Sequence, residues 1–256
     1  MLRPVIQSID RAAKILGLLQ GARRLGISEL ASALSLPPST VHGLVKSLQE
    51  HGLVAQEISG NRYVLGPALL KLSSVYLDTL DVRARSMRWM HELSWRTGCA
   101  TRLGVTVLDE VLIIHHDRRP DGTEQMPETG LNLPAHASAL GKVLLAYSSE
   151  LEKEVLNKPL VELTGDTLTD PAQLHEQLSE VRKTGTAFEY EEAVIGEASV
   201  AVPVYGESGA VVAALSVVLP TSEWPADEAT VRQLRDAART ISRELGAPGR
   251  SSQGNR

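Results

Sequence analysis

Five residues within one short stretch have the types and spacing to touch a nucleic acid. Ser39, Thr40, His42, Gly43 and Lys46 lie on a predicted helix, off an apolar stripe of Val41, Leu44, Val45 and Leu48. That stripe falls at i, i+3, i+4 and i+7, the period of a helix with one buried face. A B-DNA major groove admits one such helix and presents donors and acceptors along its base edges. The hydroxyls of Ser39 and Thr40 can reach phosphates or bases. His42 and Lys46, one turn apart, can contact a guanine edge or a phosphate. Gly43 costs about 1 kcal/mol of helix stability, but lets the backbone approach closely. Arg62, at the start of a predicted strand, is placed to enter the adjacent minor groove; a pair with Glu57 is the other role open to it. Singly, each of these is an ordinary surface residue, and the signal lies in their order.

Other side chains raise catalytic or metal chemistry. His91, His115, His116, His136 and Cys99 are potential zinc ligands, but their spacing matches no metal pattern. Ser199 and Glu189 would need a histidine base beside them to hydrolyse an ester. The chain carries no P-loop, no G-x-S-x-G and no H-E-x-x-H. We therefore expect no enzyme, no metal and no cofactor, with a metal-dependent or esterase-like enzyme as the alternative.

The elements that must position the first group read as three helices and a hairpin. The first helix is expected over residues 8–20, capped by Ser8, ended by Gly21, with Ile9, Ala12, Ala13, Leu16 and Leu19 inward. The second spans 28–34, with Ser28 as N-cap and Glu29 at the positive end of the dipole. Pro38 opens the third, where a missing N–H costs little, and Gly52 closes it. Strands at 53–55 and 62–65 flank a turn of Ser59, Gly60 and Asn61, making a wing. Gly66-Pro67 then punctuates before a helix with Leu69, Leu72 and Tyr76 inward and a further helix over 82–97.

Beyond that, strands are expected at 100–107, 111–116, 186–190, 198–205 and 210–219, and helices at 139–147, 171–183 and 226–245. Hairpins among helices indicate an α+β domain with an antiparallel sheet. The division expected is residues 1–66 for the winged helix-turn-helix, 67–81 for a linker helix, 82–246 for a second domain and 247–256 for a disordered tail.

Charge supports that division. The chain is −5 overall, yet residues 1–75 hold eight basic side chains against four acidic ones. A basic head on an acidic remainder suits a DNA-binding unit joined to a sensor. A non-specific architectural DNA protein is the competing reading, disfavoured by the net acidity and the large second domain. The single cysteine fits a reducing cytoplasm, and no signal peptide or membrane span is read.

The segments IQSIDRAAKILGLL, GISELASALSLPPSTVHGLVKSLQEHGLV, RYVLGPALLKL, PAHASALGKVLLAY and SVAVPVYGESGAVVAALSVVLP resemble the IclR family of bacterial transcriptional regulators, over about Ile6 to Leu245. Other segments, VYLDTLDVRARSMRW and VLIIHHDRRPD, look like those of the glycerol operon regulators of actinomycetes. The resemblance implies a winged helix-turn-helix joined to a GAF- or PAS-like effector domain. It implies a homodimer or dimer of dimers on a pseudo-palindromic operator, most often as a repressor, with an activator answering a small organic acid as the alternative. It also places Ala139, Leu140, Gly141, Glu189, Ser199 and Ser216 at an effector pocket, with backbone N–H groups at a helix N-terminus offered to an anion. Ser199 stands where small-acid-binding members carry Cys, Val218 where they carry Ser, and Glu189 where they carry Asp. These differences point away from a glyoxylate- or pyruvate-type ligand, and the likeness to glycerol operon regulators implies glycerol or glycerol 3-phosphate instead. His115, His116, Arg118 and Arg119 are a possible source of positive charge, although neighbours on a strand cannot both face one side.

Overall fold

The computed structural model describes residues 6–248; residues 1–5, with Arg3, and residues 249–256, most of the expected tail, lie outside the described residues. The chain divides into two compact units, Met1–Thr79 and Leu80–Arg256.

The N-terminal unit opens with α1 (Gln7–Ala22), followed by β1 (Leu25–Gly26), α2 (Ile27–Leu34) and α3 (Pro38–Glu50). The hairpin is β2 (Val54–Gln56) and β3 (Arg62–Leu65), and α4 (Ala68–Thr79) follows. Ile15, Leu19, Leu30, Val41, Val45, Leu48, Val54 and Tyr63 close one core among these elements. Of the expected stripe, Leu19 is buried and Ala12 and Leu16 pack against the core, whereas Ile9, 65% exposed, and Ala13 do not, and Ile15 joins it instead. Ser8 makes no cap, and the helix continues past Gly21 to Ala22, with Arg23 turning at φ 63°.

Ser28 is not a cap either. The Gly26 N–H donates to Glu29 Oε2 at 2.6 Å, so a carboxylate inside the first turn reaches back to the residue before the helix. The wing has three strands rather than two, in the order β1-β3-β2, with Gly26 opposite Arg62 and Leu25 opposite Tyr63. Gly52, at φ 68°, follows α3 as expected.

In the C-terminal unit, α5 (Asp81–Thr97) leads into the hairpin β4 (Ala100–Val107) and β5 (Glu110–Asp117). Then come β6 (Asn132–Pro134), α6 (Ala139–Ala146), α7 (Ser149–Leu156), α8 (Pro171–Thr184), β7 (Ala187–Tyr190), β8 (Glu197–Tyr205), β9 (Val211–Pro220) and α9 (Glu228–Glu244). The strands form one antiparallel sheet, ordered β6-β5-β4-β9-β8-β7. Both β8 and β9 bury nearly every residue, which requires cover on both faces. Helix α6, backed by α7 and α8, covers one; α5 and α9 cover the other. This is the expected α+β domain, with β6 and α7 added. Among the described residues no helix is long and apolar enough to cross a membrane. Ala247, the first residue of the expected tail, is tied by its N–H to Ser242 O at 2.9 Å.

The junction of wing and α4 is tight. The Gly66 N–H donates to Leu53 O at 2.8 Å, and a Cβ at Gly66 would stand 2.1 Å from Gly52 O. Nothing within 4 Å surrounds a Cβ at Gly43. In thermal unfolding of the full chain, Gly66→Ala should destabilise by about 1–3 kcal/mol through overpacking. Gly43→Ala should stabilise by about 0.5–1 kcal/mol through helix propensity; equal effects would contradict this packing.

Candidate nucleic-acid interface and ligand cavity

Helix α3 turns Val41, Val45 and Leu48 into the core. Ser39, His42, Gly43 and Lys46, at i, i+3, i+4 and i+7, share an exposed face, with Thr40 half-buried at its side. The structure thus gathers the sequence-predicted group on one free helical surface. Arg62 is placed differently from expectation. Its guanidinium meets Glu29 Oε1 at 3.3 Å, and Glu57 instead faces Arg24 at 3.6 Å. Glu29 therefore has two tasks, closing the start of α2 with one oxygen and holding the wing arginine with the other. The tip of the wing is the loop 57–61, stiffened by the Gln56 side-chain amide donating to Gly60 O at 3.2 Å.

The second site lies between α6 and the sheet face beneath it. A small cavity there is lined by Ala139, Leu140, Glu189, Ser199 and Ser216, five of the six residues expected. Sheet register explains the gathering. Ser199 stands opposite Glu189 on β7, and Ser216 opposite Arg102 on β4, so all four point to one face. Gly141 is the exception. Its N–H donates to Ser138 Oγ at 3.1 Å, and its bare Cα lies against the Ala135 carbonyl, where a Cβ would come within 2.1 Å. Gly141 is needed for packing, and its N–H is already satisfied.

Sequence reasoning missed the charged groups of this cavity. Arg102 lines it with Ser138, Ala193, Val194 and Glu197. The Arg102 guanidinium bonds Glu128 through both Nε and Nη2, the latter at 2.7 Å, and Glu197 Oε2 at 2.9 Å. Burial alone would weaken its hold on the proton, but Glu128 and Glu197 more than reverse this and keep it ionised. His116 stands opposite Arg102 in register, buried, with Nε2 3.7 Å from Glu128. Burial pushes its pKa down, against the pull of Glu128 and with the help of Arg102.

None of His115, His116, Arg118 and Arg119 lines the cavity. His115 faces Asp117 at 3.4 Å, and Arg119 is tied to Glu223 and Asp121. His91 also faces Asp117, at 3.7 Å, while His136 Nε2 meets Val161 O at 3.0 Å. Among the described residues no three such groups have metal-ligand geometry.

Glu189 anchors the wall of the cavity. One oxygen accepts the Ser199 hydroxyl at 2.9 Å; the other accepts the Glu192 N–H at 2.8 Å. Behind it, the fully buried Lys142 of α6 is paired with Glu192. No histidine lies among the lining residues, so Ser199 has no base. The Ser216 hydroxyl is buried and has no hydrogen-bond partner.

Burial raises the Glu189 pKa above its usual 4.5, opposed by the Ser199 hydroxyl and the N–H groups of Glu192 and Ala193. A raised folded value means stability present at and below the unfolded value and lost as pH rises through the folded one. Glu189→Gln removes that loss. Thermal unfolding between pH 4.5 and 7.5 should show the variant gaining on the parent as pH rises; the opposite slope would mean that the hydrogen bonds outweigh burial.

Both units match known proteins. The model of the IclR helix-turn-helix domain matches residues 8–57, and that of the bacterial transcriptional regulator IclR C-terminal domain matches residues 74–243. The glycerol operon regulatory protein of Streptomyces griseus is 42% identical, covering 94% of this chain and 97% of that protein. Among solved structures, an IclR transcriptional regulator from Silicibacter has a TM-score of 0.81 at 31% identity, covering 94% and 97% of the two chains. An IclR homolog from Microbacterium hydrocarbonoxydans, complexed with 4-hydroxybenzoate, has a TM-score of 0.79 at 30% identity, covering 93% and 98%. With matches to both units and near-complete coverage, the chain belongs to the IclR family of bacterial transcriptional regulators and is not an enzyme.

Proposed function

We propose that this regulator is a cytoplasmic repressor of glycerol-metabolism genes, released from its operator by glycerol or glycerol 3-phosphate. The carrying observation is near-full-length similarity to a glycerol operon regulatory protein, joined to a polar cavity of hydroxyls and carboxylates under α6. In this reading residues 1–66 bind DNA, 67–81 connect, and 82–246 sense. The assembly is a homodimer or dimer of dimers, which matches a pseudo-palindromic operator because a two-fold protein reads two half-sites.

The exposed face of α3 enters the major groove. Ser39 and Thr40 position it on the backbone, His42 reads a base edge, Gly43 allows close approach, and Lys46 holds a phosphate. Arg62 reaches the minor groove once it leaves Glu29. In the sensing unit, Ala139 and Leu140 wall the effector, while Glu189, Ser199 and Ser216 bond its hydroxyls; Gly141 shapes the helix start behind them. Effector binding changes DNA affinity only as far as it prefers one dimer state over the other.

An activator answering a small organic acid is the second reading. It is favoured by the cationic Arg102 in the cavity and by a structural relative complexed with 4-hydroxybenzoate.

Footprinting on the protein's own promoter should protect one discrete pseudo-palindrome; uniform protection would favour a non-specific DNA protein. Lys46→Ala should weaken binding to all sequences and lower the slope of log affinity against log salt by about one. His42→Ala should change base preference more than overall affinity, as read from a library of operator variants. A thermal-shift panel of glycerol, glycerol 3-phosphate, small keto acids and aromatic acids should single out the polyols, since only a bound ligand raises stability by RT ln(1 + [L]/Kd). No shift with either polyol would remove glycerol control.

A further inference from the structure

The cavity's cation is already matched by the chain's own carboxylates. Arg102 has a side chain only 11% exposed, and two acids share it. They are not equivalent. Glu128 takes two of the guanidinium's contacts and is 14% exposed; Glu197 takes one and is 33% exposed. Glu197 is the partner with fewer bonds and more access to water. The cavity that Arg102 and Glu197 line, and Glu128 does not, holds about 10 Å³, room for about one water. A ligand of several heavy atoms must therefore displace part of the wall.

What it displaces is constrained by charge. A buried guanidinium left without a partner is strongly destabilising, so a neutral ligand that pushes Glu197 aside leaves Arg102 under-paired. A ligand carrying its own carboxylate or phosphate replaces like with like. The Ser216 hydroxyl is placed to help. It stands opposite Arg102 across the β4–β9 ladder, is 1% exposed, lines the same cavity and has no partner.

Glu197 also begins β8, directly after the loop 191–196. Ala193 and Val194 of that loop roof the cavity, and Ile195 beside them is 76% exposed. The base of the loop is fixed: Glu192 is buried against Lys142, its N–H bonds Glu189 and its carbonyl accepts the Thr167 hydroxyl at 2.7 Å. The exposed part, 194–196, is held by Glu191 accepting from the Gly196 N–H at 2.7 Å, by the Glu197 N–H donating to Val194 O at 3.2 Å and by the Thr221 N–H donating to Gly196 O at 3.0 Å.

We propose that Glu197 is an internal stand-in for the anionic group of the effector. A small ligand bearing a carboxylate or phosphate monoester takes its place on Arg102 and is bonded by Ser216, and Glu197 moves outward with residues 194–196 while Glu192 stays paired with Lys142. This rests on the reading of the cavity as the effector site, and it selects the charged member of the glycerol pair.

Isothermal titration of the full chain with glycerol 3-phosphate, glycerol, pyruvate and 4-hydroxybenzoate tests it, for the parent, Glu197→Gln, Arg102→Gln and Ser216→Val. At least one anion binds, and Glu197→Gln tightens it about tenfold or more. Arg102→Gln weakens it at least tenfold, and glycerol changes less than twofold in both. In hydrogen exchange, amides of 194–197 exchange faster with the anion bound, while those of the rest of β8 and of β9 slow.

An unchanged or weaker anion affinity in Glu197→Gln overturns the proposal, as does an equal gain for glycerol. So does the absence of binding by every anion to parent and Glu197→Gln alike. If Arg102→Gln fails to fold, Glu197→Gln and the exchange data decide alone. Ser216→Val separates the two readings: a bound anion indifferent to it means that the cavity is not the effector site. Weakened binding there, without tightening in Glu197→Gln, means that only the exchange of carboxylates is wrong.

Discussion

An ionised arginine under a helix-covered sheet cannot stand alone, and the sensing unit is organised around that demand. Arg102 sits on β4, one strand in from β5 and next to β9. Its two carboxylates come from a stretch without regular structure, Glu128 between β5 and β6, and from the first residue of β8, Glu197. Pairing Arg102 therefore fixes the segment around Glu128, which backbone ladders leave unspecified, to the start of β8. The desolvation of three charges sets a high cost for any rearrangement that does not keep them paired. It also leaves the neighbouring Ser216 hydroxyl inside a polar space with nothing of the chain's own to bond.

The same logic repeats one layer deeper. Every residue of α6 is buried, including Lys142, which a helix so placed can tolerate only with a carboxylate against its ammonium. Glu192 supplies it, and the Glu192 N–H in turn bonds Glu189. The wall acid of the cavity, the loop after β7 and the core of α6 are thus one connected set. A change at Glu189 reaches α6 through two contacts, which gives a ligand a short physical route from the cavity to the helix that covers it.

Much of this was readable in the sequence where local periodicity decides. The apolar stripe of α3 fixes its exposed face, and the turn Gly206-Glu207-Ser208-Gly209 between two apolar runs marks the β8–β9 hairpin. The resemblance carried over five of the six cavity residues. What escaped were contacts between distant residues. Arg102 bonds partners 26 and 95 positions away, and one arginine in an otherwise apolar strand reads as solvent-facing until the register places it beneath α6. Glu29 holds Arg62 from 33 positions away, while Glu57 looked nearer in sequence. Ser28 resembled a cap by type, yet Glu29 reaches Gly26 because a carboxylate three residues on can do the same work. In α7 only Leu151 and Val155 are buried, too few for a periodic signal, and β6 has just three residues.

Each functional region holds an arginine against a carboxylate, and the two differ in the quantity that matters. Arg62 and Glu29 are about half exposed, with side chains 49% and 46% accessible. Pairs of that kind contribute about 0.2–1 kcal/mol and weaken with salt. A phosphate can take Arg62 from Glu29 at little cost, and Glu29 keeps its capping bond to Gly26 through its other oxygen. The wing arginine is thus stored in order without being locked. Arg102 is the reverse case. Its burial makes each partner expensive to lose, and under the proposed exchange only a ligand of matching charge can take a partner's place. The two proposed roles ask for that difference: a head whose arginine passes readily to a phosphate, and a sensor whose arginine changes partner only for a matching anion.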